Sequence, residues 1–254
     1  MIGDHEAVLE QARAAGVTGF LLAGVSPDGW RDEDAIAKKN PDVCVSYGVH
    51  PQLVAETDTQ AMVAALAAEL AHPTLTMPVA IGEIGLDAYT KERRAVLATQ
   101  EGIFRAQLAL AREYDLPVIL HILKAHEEAL KILRRDGLPK AGGVVHSYSG
   151  SEALLDAYLP LGLHISLAGS VTFKTAVKAP AVARKVPIDR LLVETDAPDQ
   201  TPEPHRPGRN EPRHLKTIVE AIAEIRGTTP EALAHDTTVN ALRLFGLTTV
   251  PAKS

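Results

Sequence analysis

The sequence predicts an α/β fold built on parallel strands, and three observations predict it. Short β-rich runs alternate with longer amphipathic stretches along most of the chain. The short runs are continuously apolar, as strands covered on both faces are. No shift in composition marks an internal boundary. With 254 residues, the chain has the length of a single large α/β domain, since α/β barrels of roughly 250 residues are single domains. One domain over residues 1–254 is therefore expected.

The elements follow in order. "MIGDHEAVLEQARAAGV" reads as a first helix, and "TGFLLAGV" (18–25) and "VCVSYGVH" (43–50) read as strands. "MVAALAAEL" is helical, "VAIGEIGLD" (79–87) is a strand, and "QEGIFRAQLALAREY" is a long amphipathic helix. "LPVILH" (116–121) and "GGVVHS" (142–147) are strands on either side of the helix "AHEEALKILRRDG". "SEALLDAYL" is helical, "LHISLAG" (163–169) and "RLLVETD" (190–196) complete the strands, and helices run on to Leu247. Gly16, Gly137 and Gly162 stand just beyond helical patterns, where a glycine takes the left-handed conformation of a C-cap.

Composition narrows the function classes. A net charge of -6 excludes a broad basic surface for non-specific nucleic-acid binding, so any phosphate recognition must be local. No run reaches the roughly 20 apolar residues of a membrane span, and the N-terminus lacks the basic and apolar regions of a secretory signal. A cytoplasmic protein with no membrane partner is expected. The single cysteine, Cys44, sits in an apolar strand and reads as a small buried hydrophobe rather than a nucleophile.

The functional signal lies in where polar residues interrupt apolar runs. Glu83, His121, His146 and Asp196 each terminate a different predicted strand. In parallel α/β architectures the C-terminal strand ends form one face on which catalytic residues gather. Each residue alone has a structural reading: a satisfied core histidine, a helix cap, a loop brace. The four together read as a metal site. Histidine with carboxylate suits Zn or Mn, an oxygen-rich remainder suits Mg, and a carboxylate can bridge two ions, which makes hydrolysis the natural chemistry. His50 in "GVHP" also ends a strand, with a turn role equally open because Pro51 follows. Arg206, Arg209 and Asn210 in "PHRPGRNEP" could clamp phosphate oxygens or form a solvated charged loop. Ser147 and Ser149 in "HSYSG" lie beside a candidate ligand and read as supporting donors rather than nucleophiles. Glu194 falls on the same face as Asp196 by period-2 alternation.

These segments resemble the TatD family of metal-dependent deoxyribonucleases, amidohydrolase-like barrels. The likeness rests on "GVHP" (48–51), "GEIGLD" (82–87), "QEGIFRAQLALAREYDLPVILH" (100–121), "HSYSG" (146–150) and "ETDAPDQTPEPHRPGRNEP" (194–212), which cover nearly the whole chain. The resemblance implies an α/β fold of (β/α)8 TIM-barrel type and hydrolysis of DNA phosphodiester bonds, single strands included, often from the 3′ end. It also implies one or two divalent ions, Mg, Mn or Zn. Glu83 would bridge metals, His121 and His146 would hold one, and Asp196 would bind metal and orient or deprotonate the attacking water. His50, Ser149, Arg206, Arg209 and Asn210 would meet the substrate.

Two departures stand out. Family members usually open with a strand ending in His-x-His, whereas this sequence opens on the first helix, so a barrel missing its first strand is expected. Leu123 stands where the family often carries an arginine. Two alternatives follow: a hydrolase of a small ester, amide or phosphoester, and a non-catalytic relative that has lost one metal site. The sequence leaves metal identity and oligomeric state open.

Overall fold

The computed structural model describes residues 4–55 and 58–247, so Met1–Gly3 of the predicted first helix lie outside the described residues. The chain opens with α1 (His5–Ala14), β1 (Phe20–Gly24), α2 (Pro27–Ala37), β2 (Val43–Tyr47), α3 (Thr59–Ala71) and β3 (Ala80–Asp87). Next come α4 (Lys91–Ala95), α5 (Leu97–Tyr114), β4 (Val118–Leu123), α6 (His126–Asp136), β5 (Gly143–Val145) and α7 (Glu152–Tyr158). The remainder is β6 (Leu163–Leu167), α8 (Lys178–Lys185), β7 (Leu191–Val193), α9 (Leu215–Arg226) and α10 (Pro230–Leu244). Each of the seven predicted strand segments forms a strand. Among the described residues no helix is long and apolar enough to cross a membrane.

The contacts resolve two compact units. The larger comprises Gly19–His146, Pro160–Leu163 and the chain from Arg243. Its strands pair in parallel in chain order, β1 with β2, β2 with β3, β3 with β4 and β4 with β5. Ile81, Ile84, Leu86 and Leu120 are fully buried within this sheet. Truncating any one of them to alanine should cost about 2–5 kcal/mol. Helix α5 shows why its sequence folds as it does. Its buried residues Gln100, Ile103, Phe104, Gln107, Leu108 and Ala111 recur at helical spacing and form one stripe. The helix stops where Asp115 turns left-handed, at φ 49°.

The other unit comprises the chain up to Thr18, Ser147–Leu159 and His164–Leu242. Here β6 pairs in parallel with β7, from Ile165 with Leu191 to Leu167 with Val193. Helix α9 buries Ile218, Val219, Ile222 and Ala223, again on one stripe. Arg226 ties its end to the carbonyls of Ala183 and Val186 at 2.7 and 2.8 Å. Gly137 caps α6 with a positive φ of 77°, but its ψ of 163° lies outside the left-handed helical conformation expected of it; Gly16 and Gly162 also have positive φ, at 96° and 83°.

Candidate metal centre

In the larger unit the site grows out of an irregular strand. Between Ile81 and Ile84 of β3 the partner β4 advances only from Val118 to Leu120, so β3 carries one extra residue. This bulge re-aims the chain at Glu83. Gly82 is required there, because a Cβ would lie 2.4 Å from the Ile119 Cβ. Gly85 adopts φ 140° and passes so close to β4 that a Cβ would meet the His121 carbonyl oxygen at 2.1 Å. The expectation that Glu83 and His121 terminate their strands is corrected. Both lie inside strands, because Gly85–Asp87 continue to pair with His121–Leu123. His146 does follow β5 directly, and its N–H extends the ladder to the Leu120 carbonyl at 3.1 Å.

Four of the residues singled out from the sequence meet here. Glu83 Oε2 lies 3.1 Å from His146 Nε2, 3.4 Å from His50 Nε2 and 3.9 Å from His121 Nδ1. His121 Nδ1 and His146 Nε2 are 3.2 Å apart. Burial acts to raise the Glu83 carboxyl, but the adjoining His146 and His50 outweigh it and hold the group well below the usual carboxylate range. Burial pushes the His121 imidazole down, toward the neutral ring, and outweighs the opposing pull of Asp87.

The hydrogen bonds fix which ring atoms carry protons. His50 Nδ1 accepts the Gln52 N–H at 3.2 Å, so a neutral His50 has its proton on Nε2, toward Glu83. His121 Nε2 faces the ionised Asp87 Oδ2 at 3.3 Å, so a neutral His121 keeps its proton on Nε2, donated to Asp87, and Nδ1 keeps a lone pair toward Glu83 and His146.

Asp87, the last residue of "GEIGLD", was missing from the sequence-derived site. It is fully buried and receives Arg93 Nη1 at 2.8 Å, Gln52 Nε2 at 3.0 Å and the Tyr89 N–H at 2.9 Å. Burial works against its charge, but His121, Tyr89 and Gln52 outweigh that and hold the carboxyl down at about 2. Two glutamines of α5 set the backbone around the cluster. Gln107 grips Val49 through its N–H and carbonyl at 2.7 and 3.1 Å, and Gln100 does the same to Asp87 at 2.8 and 2.9 Å.

Glu33 on α2 also escaped the sequence reading. Its Oε2 is buried without a hydrogen-bond partner, against Gly24 at the end of β1. Desolvation, with the Glu83 and Asp32 charges, raises its carboxyl to about 8. Cys44 is half-buried in β2 and burial raises its thiol, which fits the packing role expected of it.

The donor set fits a divalent metal. His50, Glu83 and His121 each offer an atom within 4.8 Å of the others, and His146 Nε2 adjoins Glu83 and His121. Donors sharing one tetrahedral ion stand about 3.4 Å apart, close to the 3.1, 3.2 and 3.9 Å found among Glu83, His121 and His146. Imidazole with carboxylate is the combination that Zn and Mn accept.

The remaining candidates belong to the other unit. Strand β7 ends at Val193, and Asp196 is left-handed at φ 58°, so the period-2 alternation expected through residue 196 stops short of it. Glu194 accepts the Ser147 N–H, and the Gln200 amide donates to both Asp196 and Ser147. Asn210 is 1% exposed and its amide donates to the Thr195 and Asp199 carbonyls, each at 2.6 Å, which closes the loop after β7. Arg209 pairs with Asp4 at 2.7 Å and Glu211 at 2.9 Å, Arg206 is exposed, and Ser149 is exposed.

Comparison with known proteins completes the picture. The model of the family described as TatD related DNase matches residues 1–246. The chain is 40% identical over 250 residues to the 3'-5' ssDNA/RNA exonuclease TatD of Rahnella sp. (strain Y9602), covering 96% of this chain and 93% of that one. It is 36% identical over 242 residues to the metal-dependent hydrolase YabD of Bacillus subtilis (strain 168), covering 95% and 92%. Among solved structures, YjjV, a TatD homologue from Escherichia coli K12, superposes with a TM-score of 0.90 at 31% identity, over 96% of this chain and 93% of that one. An organophosphorus hydrolase from Deinococcus radiodurans, at 19% identity and a TM-score of 0.65, shares the fold. The α/β fold of TIM-barrel type expected from the sequence is thus the fold found. The chain belongs to the TatD related DNase family and is a metal-dependent hydrolase of that family.

Proposed function

We propose that the protein is a nuclease that hydrolyses phosphodiester bonds of single-stranded DNA or RNA, releasing nucleotides from the 3′ end. The observation that carries this reading is the convergence of Glu83 Oε2, His121 Nδ1 and His146 Nε2 on one another. The Rahnella relative, named as an exonuclease of this kind at 40% identity, supports the substrate class.

A divalent ion held by Glu83, His121 and His146 would polarise a phosphoryl oxygen and lower the pKa of an attacking water. The protein groups do the rest. Glu83 stays ionised, so it offers charge to a cation at neutral pH. Asp87 holds His121 in the tautomer that turns Nδ1 inward. His50, with its proton toward Glu83, orients that carboxylate and offers a ring edge to substrate. Asp196 is assigned the orientation or deprotonation of water, with Gln200 steering its carboxylate. Arg206, Arg209, Asn210 and Ser149 are assigned to the substrate side, Asn210 as the brace of its loop and Arg209 through its ion pairs. The reading extends to one hydrolase domain over residues 1–254, acting in the cytoplasm; the family match over residues 1–246 supports the former.

The test is release of nucleotides from a single-stranded DNA oligomer with added Mg or Mn, against a chelator control. Metal-dependent release that disappears in Asp196→Asn, with the fold retained by circular dichroism, is the expected result. Turnover of small esters without cleavage of the oligomer would instead favour a small-molecule hydrolase.

A further inference from the structure

The surface after β6 and β7 pairs Arg206, assigned above only to the substrate side, with an aromatic ring that has no role so far. Phe173 follows the short 3-10 turn Gly169–Thr172 and is half-buried. The Arg206 guanidinium lies over its ring, 4.5 Å from the centroid. The Arg206 side chain is 51% exposed, and its ion pair with Glu203 is long, at 3.8 Å. Lys174 and Lys178, both exposed, follow Phe173 on the same segment.

The two loops are locked together. The Glu203 N–H donates to Thr172 Oγ1 at 2.9 Å, and Thr172 Oγ1 donates to the Gly169 carbonyl at 2.7 Å. Gly169 packs so tightly that a Cβ would lie 1.8 Å from the Gln200 carbonyl oxygen. Thr201 Oγ1 closes the second loop on the Gly208 carbonyl at 2.7 Å. The backbone that carries ring and guanidinium is therefore braced before any ligand arrives, which reduces the ordering entropy of binding. Both loops leave the C-terminal ends of paired strands, Leu167 beside Val193, and the second loop contains Asp196.

We propose that Phe173 and Arg206 form a stacking platform for a base of single-stranded nucleic acid, with Lys174 and Lys178 meeting its phosphates. The proposal rests on the nuclease reading above and specifies how that substrate is held. The ring backs the guanidinium, and the exposed guanidinium offers the charged planar surface on which a base of any identity can stack. Two lysines on the adjoining segment supply local cation density on a chain whose net charge is -6.

The experiment compares wild type, Phe173→Ala, Phe173→Trp and Arg206→Gln on a labelled single-stranded DNA oligomer and on bis(p-nitrophenyl) phosphate, a diester without bases. Phe173→Ala should raise the KM for the oligomer by roughly tenfold. The ratio of oligomer to diester kcat/KM should fall with it, and Phe173→Trp should restore it. Arg206→Gln should lower the salt dependence of oligomer binding, read by anisotropy, by about 0.7 in the log–log slope. An unchanged oligomer KM in Phe173→Ala, or an equal loss on both substrates, overturns the platform while leaving the nuclease reading intact. Wild type that cleaves the diester but no oligomer overturns both. Should Phe173→Ala fail to fold, Arg206→Gln with an unchanged KM and salt slope overturns the platform by itself.

Discussion

The cluster around Glu83 and the loop after β7 are built on opposite plans. In the cluster, side chains satisfy other side chains: Glu83 meets three histidines, and Asp87 meets His121, Arg93 and Gln52. In the loop, side chains mainly hold backbone. Asn210 grips two carbonyls, Thr201 another, and Glu194 accepts an N–H. The first plan concentrates charge in a small buried volume and tunes protonation; the second fixes the shape of a surface. A substitution in the cluster should therefore act on chemistry and ion uptake, and one among the residues that brace the loop's backbone on geometry and stability.

The largest effect tests the first plan at its centre. Glu83→Gln should reduce metal-supported turnover on the order of 10²–10³-fold, because one charged donor disappears from a site where water is scarce. Steady-state kinetics across a metal titration would measure it, and full activity at saturating metal would deny Glu83 its role. Next, Asp87→Asn should weaken metal affinity about 10–100-fold by releasing the His121 tautomer. Isothermal titration calorimetry reads the affinity directly, and ¹⁵N shifts of the ring read the tautomer without any metal present.

The loop gives a smaller effect of a different kind. Asn210→Ala should destabilise the protein by about 1–3 kcal/mol in urea unfolding, since two carbonyls lose their donors. Metal affinity should stay at the wild-type value. A drop in affinity as large as that from Asp87→Asn would erase the distinction between the two plans.

Smallest per unit of the variable changed is the effect of pH. Folded Glu33 keeps its proton up to about pH 8 against an ordinary value of 4.5. Over that window the native state holds the extra proton, so stability falls as pH rises, by at most about 1.4 kcal/mol per pH unit. Glu33→Gln should flatten this slope in chelator-treated protein unfolded at pH 5 through 8. Asp87 has the opposite sign: its contribution is complete above its ordinary 3.8 and is lost as pH falls toward about 2.

The seven strands were legible because buried parallel strands are written as apolar runs. Their ends were less so. Glu83 and His121 looked like terminators because polar residues usually lie outside a strand, but here each sits inside one, admitted by glycines that let β3 and β4 come close. A bulge has no apolar signature, and its trace in the sequence is only the two glycines of "GEIG" flanking an acid. Asp87 was missed, although the predicted strand 79–87 ends on it, because Arg93 and Gln100 farther on hold it and no local pattern links them to it. Glu33 was missed because no local pattern marks an acid that packs inward, and the surface that receives it is the side-chain-free Gly24 of β1.

The paired glutamines of α5 have a consequence for how the protein matures. Gln100 and Gln107 stand seven residues apart on one face, and each closes both arms of its amide on a strand-end backbone, Asp87 for one and Val49 for the other. Val49 adjoins His50, and Asp87 touches His121, so two segments of the cluster take their final form only when this helix docks. In a refolding experiment, competence to take up metal should therefore appear together with the burial of α5, as a late event set by assembly rather than by the order of synthesis.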